Sequence, residues 1–461
     1  MKTPKILSFI VLGTVTLIIG LAAIVGALRP HSASAGAHRP ADATQKNSVA
    51  ADASPTAPAR MILVPHHGDT PLDRRITIAQ QDVAAGRTPE TSIETLGWLF
   101  IEKARISYDP GFFKLAEQCA LALDERNPGD PPAMLLRGHV LQNLHQFKQA
   151  EPLARQLVAK RGAPFDYGLL GDVLADLGQL DGAIAAYQSM MDLRPDSQAH
   201  ARAAHVRWLK GDVAGAMEAM REAVRSAGTR NAGSAAWMNS RLAFFQFQSG
   251  DSTSAETACA AALESVPNFP PALLVRGRMQ LAAGKFAEAA ETFRGGVAEN
   301  PLPEHLWLFS EALRAAGKEG EAAAAEVRLA ALGTADDPRT LSLFLATRGE
   351  QPKLALSLAE RELETRADVF THDATAWALA ANGRQDEAWK SISQALAEGT
   401  QDARIFLHAG VIATNLARAD AGEWLARARR LERLLLPSER QHLADAEKRV
   451  ESAGGTFTSK R

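Results

Sequence analysis

Cysteine, aromatic side chains and excess charge are all scarce in this 461-residue chain. The two cysteines, Cys119 and Cys259, stand far apart in alanine-rich stretches. They make neither a disulfide framework nor a CxxC zinc or redox motif, and read as buried free thiols. With 51 basic residues against 53 acidic ones the net charge is −2, so nothing attracts nucleic acid, and none is expected as a partner. Aromatics are 6% of the chain and β-branched runs of period two are few, which excludes a sheet-rich fold.

Chemistry-bearing motifs are missing too. No GxSxG, HExxH or strand-turn-helix GxGxxG occurs. Gly277 through Gly284-Lys285 has the wrong glycine spacing for a phosphate loop and puts Phe286 in the Ser/Thr place. The spacings of His139/His145 and His200/His205 keep neither pair on one helical face for a metal. The chain is therefore expected to be no enzyme and to need no cofactor or metal.

What is present begins with a long apolar run. Lys2 and Lys5 precede Ile6–Leu28, which carries no charge. As a helix that run rises about 35 Å, enough to cross a bilayer. It is long for the ~7–15-residue core of a cleaved signal, yet Ala33-Ser34-Ala35 offers a cleavage site. Residues 1–28 are thus a signal anchor, a single transmembrane helix contacting the membrane, or part of a signal peptide ending near residue 35. Positive-inside orientation exports the remainder in either case. The expected location is a bacterial inner membrane with the bulk of the chain periplasmic; the alternative is a soluble periplasmic or secreted protein. Residues 29–74, rich in Ala, Pro, Ser, His and Thr, read as a disordered linker, and 454–461 as a disordered tail. His31, His38, His66 and His67, with Asp69, lack the fixed geometry a metal site needs in such a stretch.

The segment 75–453 is periodic. Glycine followed five residues later by alanine recurs as Gly178/Ala183, Gly211/Ala216, Gly250/Ala255, Gly284/Ala289, Gly317/Ala322 and Gly383/Ala388. Seven residues before each glycine sits another small residue: Gly171, Ala204, Ala243, Gly277, Ser310 and Ala376. Pro195, Pro267 and Pro301 stand twelve after the alanine. Two antiparallel helices that approach closely explain this pattern. The small residues face each other, the glycine ends the first helix in a left-handed conformation, and the proline ends the pair. Such a hairpin buries its apolar face only by stacking on others.

"LLGDVLADLGQLDGAIAAYQSMMDLRP" and "VRGRMQLAAGKFAEAAETFRGGVAENP" resemble the tetratricopeptide repeat. Weaker copies run in both directions, with His145 in place of a turn glycine, about seven extra residues at "ARISYDP" and one extra before Ala355. About ten repeats between residues 88 and 435 are expected, an all-α solenoid finished by a closing helix from Leu431 to Glu451.

The resemblance implies that the first helix of each hairpin lines a concave groove that holds a protein or peptide partner. Carried over by position, the groove residues are His139, Asp172, His205, Trp208, Phe244, Phe247, Arg278, Trp307, Glu311 and Arg314. Aromatic and guanidinium groups there are good anchors, although Phe244 and Phe247 equally suit packing between repeats. The Lys and Asn set of carboxylate-clamp members is absent. A non-catalytic interaction scaffold is the expected role, with glycan or envelope-polymer binding as the alternative.

Overall fold

A computed structural model describes residues 57–228 and 231–452. Among the described residues there are 23 α-helices and no strand. The chain divides into two units: Gly20–Ser107 with Gly111–Val140, in its described part, and Tyr108–Pro110 with Leu141–Arg461. The expected anchor and the Ala33-Ser34-Ala35 site lie outside the described residues. Within the described ones, no helix is long and apolar enough to cross a membrane.

In the first unit, order begins earlier than the linker reading allows. Residues 57–74 form α1 (Ala57–Met61), an intervening loop and the start of α2 (Pro71–Ala84). What holds the loop is Asp73, almost fully buried, which accepts from His66 Nε2 at 2.6 Å and Thr70 Oγ1 at 2.7 Å and pairs with Lys103 at 2.7 Å. These contacts hold its carboxyl well below the usual range. His66 is thus spent on a structural partner. Helices α3 (Pro89–Ser107) and α4 (Gly111–Arg126) make the first hairpin, and α5 (Pro131–Asn143) packs on it. Of the extra residues at "ARISYDP", the first four lengthen α3 to Ser107, and Tyr108–Pro110 form the connection to α4.

The second unit continues with α6 (Phe147–Lys160), then the hairpins α7 (Pro164–Asp176)/α8 (Leu180–Leu193), α9 (Ser197–Leu209)/α10 (Val213–Ala227) and α11 (Ala232–Ser249)/α12 (Ser252–Ser265). Next come α13 (Pro270–Ala282)/α14 (Phe286–Glu299), α15 (Pro303–Ala315)/α16 (Glu319–Asp336) and α17 (Pro338–Arg348)/α18 (Pro352–Leu363). Helices α19 (Val369–Ala381)/α20 (Gln385–Leu396) and α21 (Ala403–Asn415)/α22 (Ala421–Arg430) follow, closed by α23 (Pro437–Ser452).

Local chemistry sets these boundaries. Proline opens α7, α13, α15, α17 and α18, where its missing N–H costs nothing. Side-chain oxygens of Asp196, Asp212, Asn231, Asp251, Asp368 and Asp402 cap the free N–H groups of α9, α10, α11, α12, α19 and α21. The turn glycines have positive φ, 74° at Gly178 and 80° at Gly211, and His145 takes the same conformation at 57°.

The close approach is as the spacing required. A Cβ at Gly171 would lie 2.3 Å from the Tyr187 ring, and one at Gly277 would lie 2.4 Å from Phe293. Ala183 and Ala289 are fully buried opposite them. Large side chains of the second helices thus fill the room that the small residues leave.

Candidate binding site

The first helices of the later hairpins are sealed on almost every side. In α15, α17, α19 and α21 nearly all residues are buried, including both flanks of each helix. An array lined by an open groove leaves one stripe exposed. Here the later repeats fold back onto the earlier ones.

The contacts that close the unit recur at regular steps. Ala367 N donates to the Asp176 carbonyl at 3.2 Å, at the end of α7. Thr400 Oγ1 donates to the Leu209 carbonyl at 2.5 Å, at the end of α9. Arg433 Nε donates to the Phe247 carbonyl at 3.0 Å near the end of α11, and its Nη2 reaches the Gln248 carbonyl. Each uses a carbonyl in the last turn of a helix, past the regular helical hydrogen bonding, although the Phe247 carbonyl also accepts from Gly250 N at 3.0 Å. Lys210 bridges Glu398 at 2.5 Å and Asp181 at 3.0 Å beside the same seam.

This closure decides where the expected groove residues stand. Trp208 is 5% exposed, stacked on Phe370 at 5.6 Å, with its Nε1 donating to Gln248 Oε1 at 2.7 Å. Trp307, 1% exposed, lies under the Arg404 guanidinium at 4.8 Å. Its neighbour Glu311 is buried and accepts from Ser438 Oγ at 2.6 Å and Ser438 N at 3.1 Å; burial pushes its carboxyl up. Phe247 is buried as well, and Asp172 is spent on Arg202, at 2.9 and 2.7 Å, and on the Tyr187 hydroxyl at 2.9 Å. In the other unit His139 is buried edge-on to Trp98 at 5.3 Å. These six side chains face the protein's own packing, where the sequence reading had them face a partner.

Four of the ten keep accessible surface. Arg278 pairs with Glu304 at 3.2 Å, and Arg314 is bidentate to Glu326 at 2.9 and 2.6 Å. Half-buried Phe244 sits edge-on to Trp208 at 5.8 Å. His205 is half-buried too; burial, with Arg241 nearby, pushes its pKa down to about 3, so it is neutral at physiological pH.

Sequence reasoning missed the charged interior. Arg366 is buried against Asp176 at 3.2 Å, with Glu362 at 3.8 Å and Asp368 at 3.9 Å. Burial, with Asp368 and Asp172 near, pushes Asp176 up to about 7 despite Arg366. Arg339 pairs with Asp368 at 3.0 Å, and Arg404 with Glu439 at 2.5 Å. His408 Nδ1 lies 2.8 Å from Asp373 while its ring stacks on Trp377 at 4.1 Å. A signal was present: Arg202, Arg241 and His408 all stand two residues before the small residue of their helix, and His408 interrupts the otherwise apolar run "IFLHAGVIA". No group of His, Cys, Asp and Glu able to hold a metal occurs among the described residues.

Residues 135–197, 169–236 and 246–302 match the tetratricopeptide repeat family model, so tetratricopeptide repeats are present over those residues. No curated protein matches it. Among solved structures, it is similar to human IFIT1, as a dimer with PPP-AAAA, at 17% identity and a TM-score of 0.47, over 71% of this chain and 77% of that one. A thermophilic TPR protein of Thermus thermophilus is 20% identical over 41% of this chain and 95% of its own, with a TM-score of 0.35. PilW, a type IV pilus biogenesis factor, is 16% identical over 44% and 92%, with a TM-score of 0.38.

Proposed function

We propose that the chain is a non-catalytic scaffold that holds a peptide segment of a protein partner on the inner face of its repeats. The observation that carries this reading is that His205 and Phe244 are only half-buried on the first helices of neighbouring hairpins while the aromatic residues beside them are sealed. The accessible stretch is short, so it suits a few residues of extended chain rather than a long helix laid along an open groove. Export belongs to the same proposal: the N-terminal apolar run tethers the repeats to the outer side of a bacterial inner membrane, or is cleaved to release them. The mass of the mature N-terminus decides between these fates.

The binding face is tested by a photoreactive benzoylphenylalanine placed at Phe244 in the full chain in intact cells. A second is placed at Val327, a 70% exposed residue of α16. A discrete adduct from position 244 and none from 327 is the expected result. Adducts of the same kind from both positions, or none from 244, reject the inner face as the binding surface.

A further inference from the structure

Arginines on the first helices of the second unit's hairpins follow one rule with one exception among the described residues. Arg202 faces Asp172, Arg278 faces Glu304, Arg339 faces Asp368, and Arg404 faces Glu439. Arg241 faces none. Its guanidinium lies 5.3 Å from the Trp208 ring, 5.1 Å from Phe244 and 5.0 Å from Phe245. Among the described residues it makes no hydrogen bond and no ion pair, and its Nη2 is shut off from water without a partner. The side chain as a whole is only half-buried, so part of the fork remains accessible beside half-buried Phe244, one helical turn on.

A desolvated cation without a counter-ion is costly. The three ring faces offset part of that cost. Burial still draws the guanidinium pKa down to about 10, against a weak opposing pull from Glu304, so Arg241 remains charged at neutral pH. A guanidinium held between aromatic faces, with unused donors, is pre-organised for a planar acceptor that can take two parallel N–H groups.

Building on the inner-face reading above, we propose that Arg241 docks a carboxylate of the bound peptide. One uncompensated positive charge is available there. Arg278 is already committed to Glu304, and His205 beside the cage is neutral. A carboxylate brings one negative charge, whereas a phosphomonoester brings nearly two at pH 7 and finds no second free cation beside Arg241 among the described residues. Phe244 supplies an apolar wall for the methylene groups of an acidic side chain.

The test uses the full-length chain and three blocked tripeptides, Ac-Ala-Glu-Ala-amide, its glutamine analogue and its phosphoserine analogue, followed by saturation-transfer NMR. The glutamate peptide is expected to bind saturably and about tenfold or more tighter than the glutamine peptide. Arg241→Gln should erase that difference, and Arg241→Lys should keep part of it. A readout that needs no variant is modification by phenylglyoxal mapped by mass spectrometry, in which the glutamate peptide should protect Arg241 and leave Arg225 unprotected. Equal binding of the glutamate and glutamine peptides, or no protection at Arg241, overturns the proposal, and tighter binding of the phosphoserine peptide overturns the choice of carboxylate. A partner crosslinked at position 244 without protection of Arg241 rejects the docking point alone. Protection of Arg241 with no adduct at 244 rejects the peptide-scaffold reading instead.

Discussion

Thr400 donates its hydroxyl to the carbonyl of Leu209, 191 residues earlier, at 2.5 Å. Arg433 repeats the relationship at Phe247, 186 residues earlier. That offset is roughly five and a half 34-residue repeats. The seam uses last-turn carbonyls that an open array would leave to water. Replacing Thr400 by Val together with Arg433 by Ala should expand the second unit without unfolding its hairpins. Small-angle scattering should show a larger radius of gyration, and hydrogen exchange should quicken at the ends of α9 and α11. An unchanged radius with unchanged exchange contradicts the seam's role.

Asp176 gives the seam a pH dependence of definite sign. Its folded pKa, pushed up to about 7, lies above the 3.8 of an ordinary aspartate. The folded state therefore binds this proton more tightly than the unfolded one. The stabilising contribution is complete below about pH 4 and is lost as pH rises towards 7. Asp176→Asn keeps the shape and removes the titration. In urea unfolding, the variant's stability should rise relative to the parent protein's as pH goes from 5 to 8; a fall relative to the parent over that range has the wrong sign.

The close approaches within hairpins predict a graded glycine series. Gly171→Val and Gly277→Val drive a side chain into the rings of Tyr187 and Phe293, and each should cost about 1–3 kcal/mol or more by overpacking. Gly284→Ala meets nothing within 4 Å but sits at φ +74°, so only backbone strain of about 1 kcal/mol is expected. Chemical denaturation of the three variants should rank them in that order.

Arg202 and Asp172 form a buried pair tied to Tyr187. Arg202→Met alone strands a buried carboxylate and should destabilise by about 3–5 kcal/mol. Adding Asp172→Leu should restore much of that loss, leaving the Tyr187 hydroxyl without its acceptor and Gln198 Oε1 without the Arg202 donor. A double-mutant cycle measures the coupling, and additive losses argue that the pair is not mutually dependent.

Trp208→Ala should be chiefly a stability variant. Removing a buried indole that packs on Phe370 and bonds Gln248 is expected to cost about 3–5 kcal/mol. Phe244→Ala should cost clearly less, because the residue is only half-buried. Urea midpoints of the two variants give the comparison, and similar losses would place Phe244 in the core with Trp208.

The repeats were readable because their code is local. Gly171 and Ala183 announce a close crossing within one hairpin, Gly178 a helix end and Pro195 the limit of the pair. His145 and Ala417 fill the turn position without being glycine, which is why those copies looked weaker. The site was less readable. Position within the repeat singled out Trp208 and Trp307 but said nothing about what would cover them. The runs "LWLFSEAL" and "IFLHAGVIA" are apolar nearly all round, the pattern of a helix buried on every side, and that was the available clue.

The amino-acid sequence by itself determined the helical hairpins, their length and their order, since each rests on side chains within about thirty positions of one another. Only the tertiary structure decided that the inner face is largely filled, that Thr400 meets Leu209, and that Arg241, unlike the other arginines described on the first helices, lacks an acid. Those outcomes depend on small rotations added from repeat to repeat. No residue encodes such a sum locally; it appears only when the coil has gone far enough round for its late helices to meet its early ones.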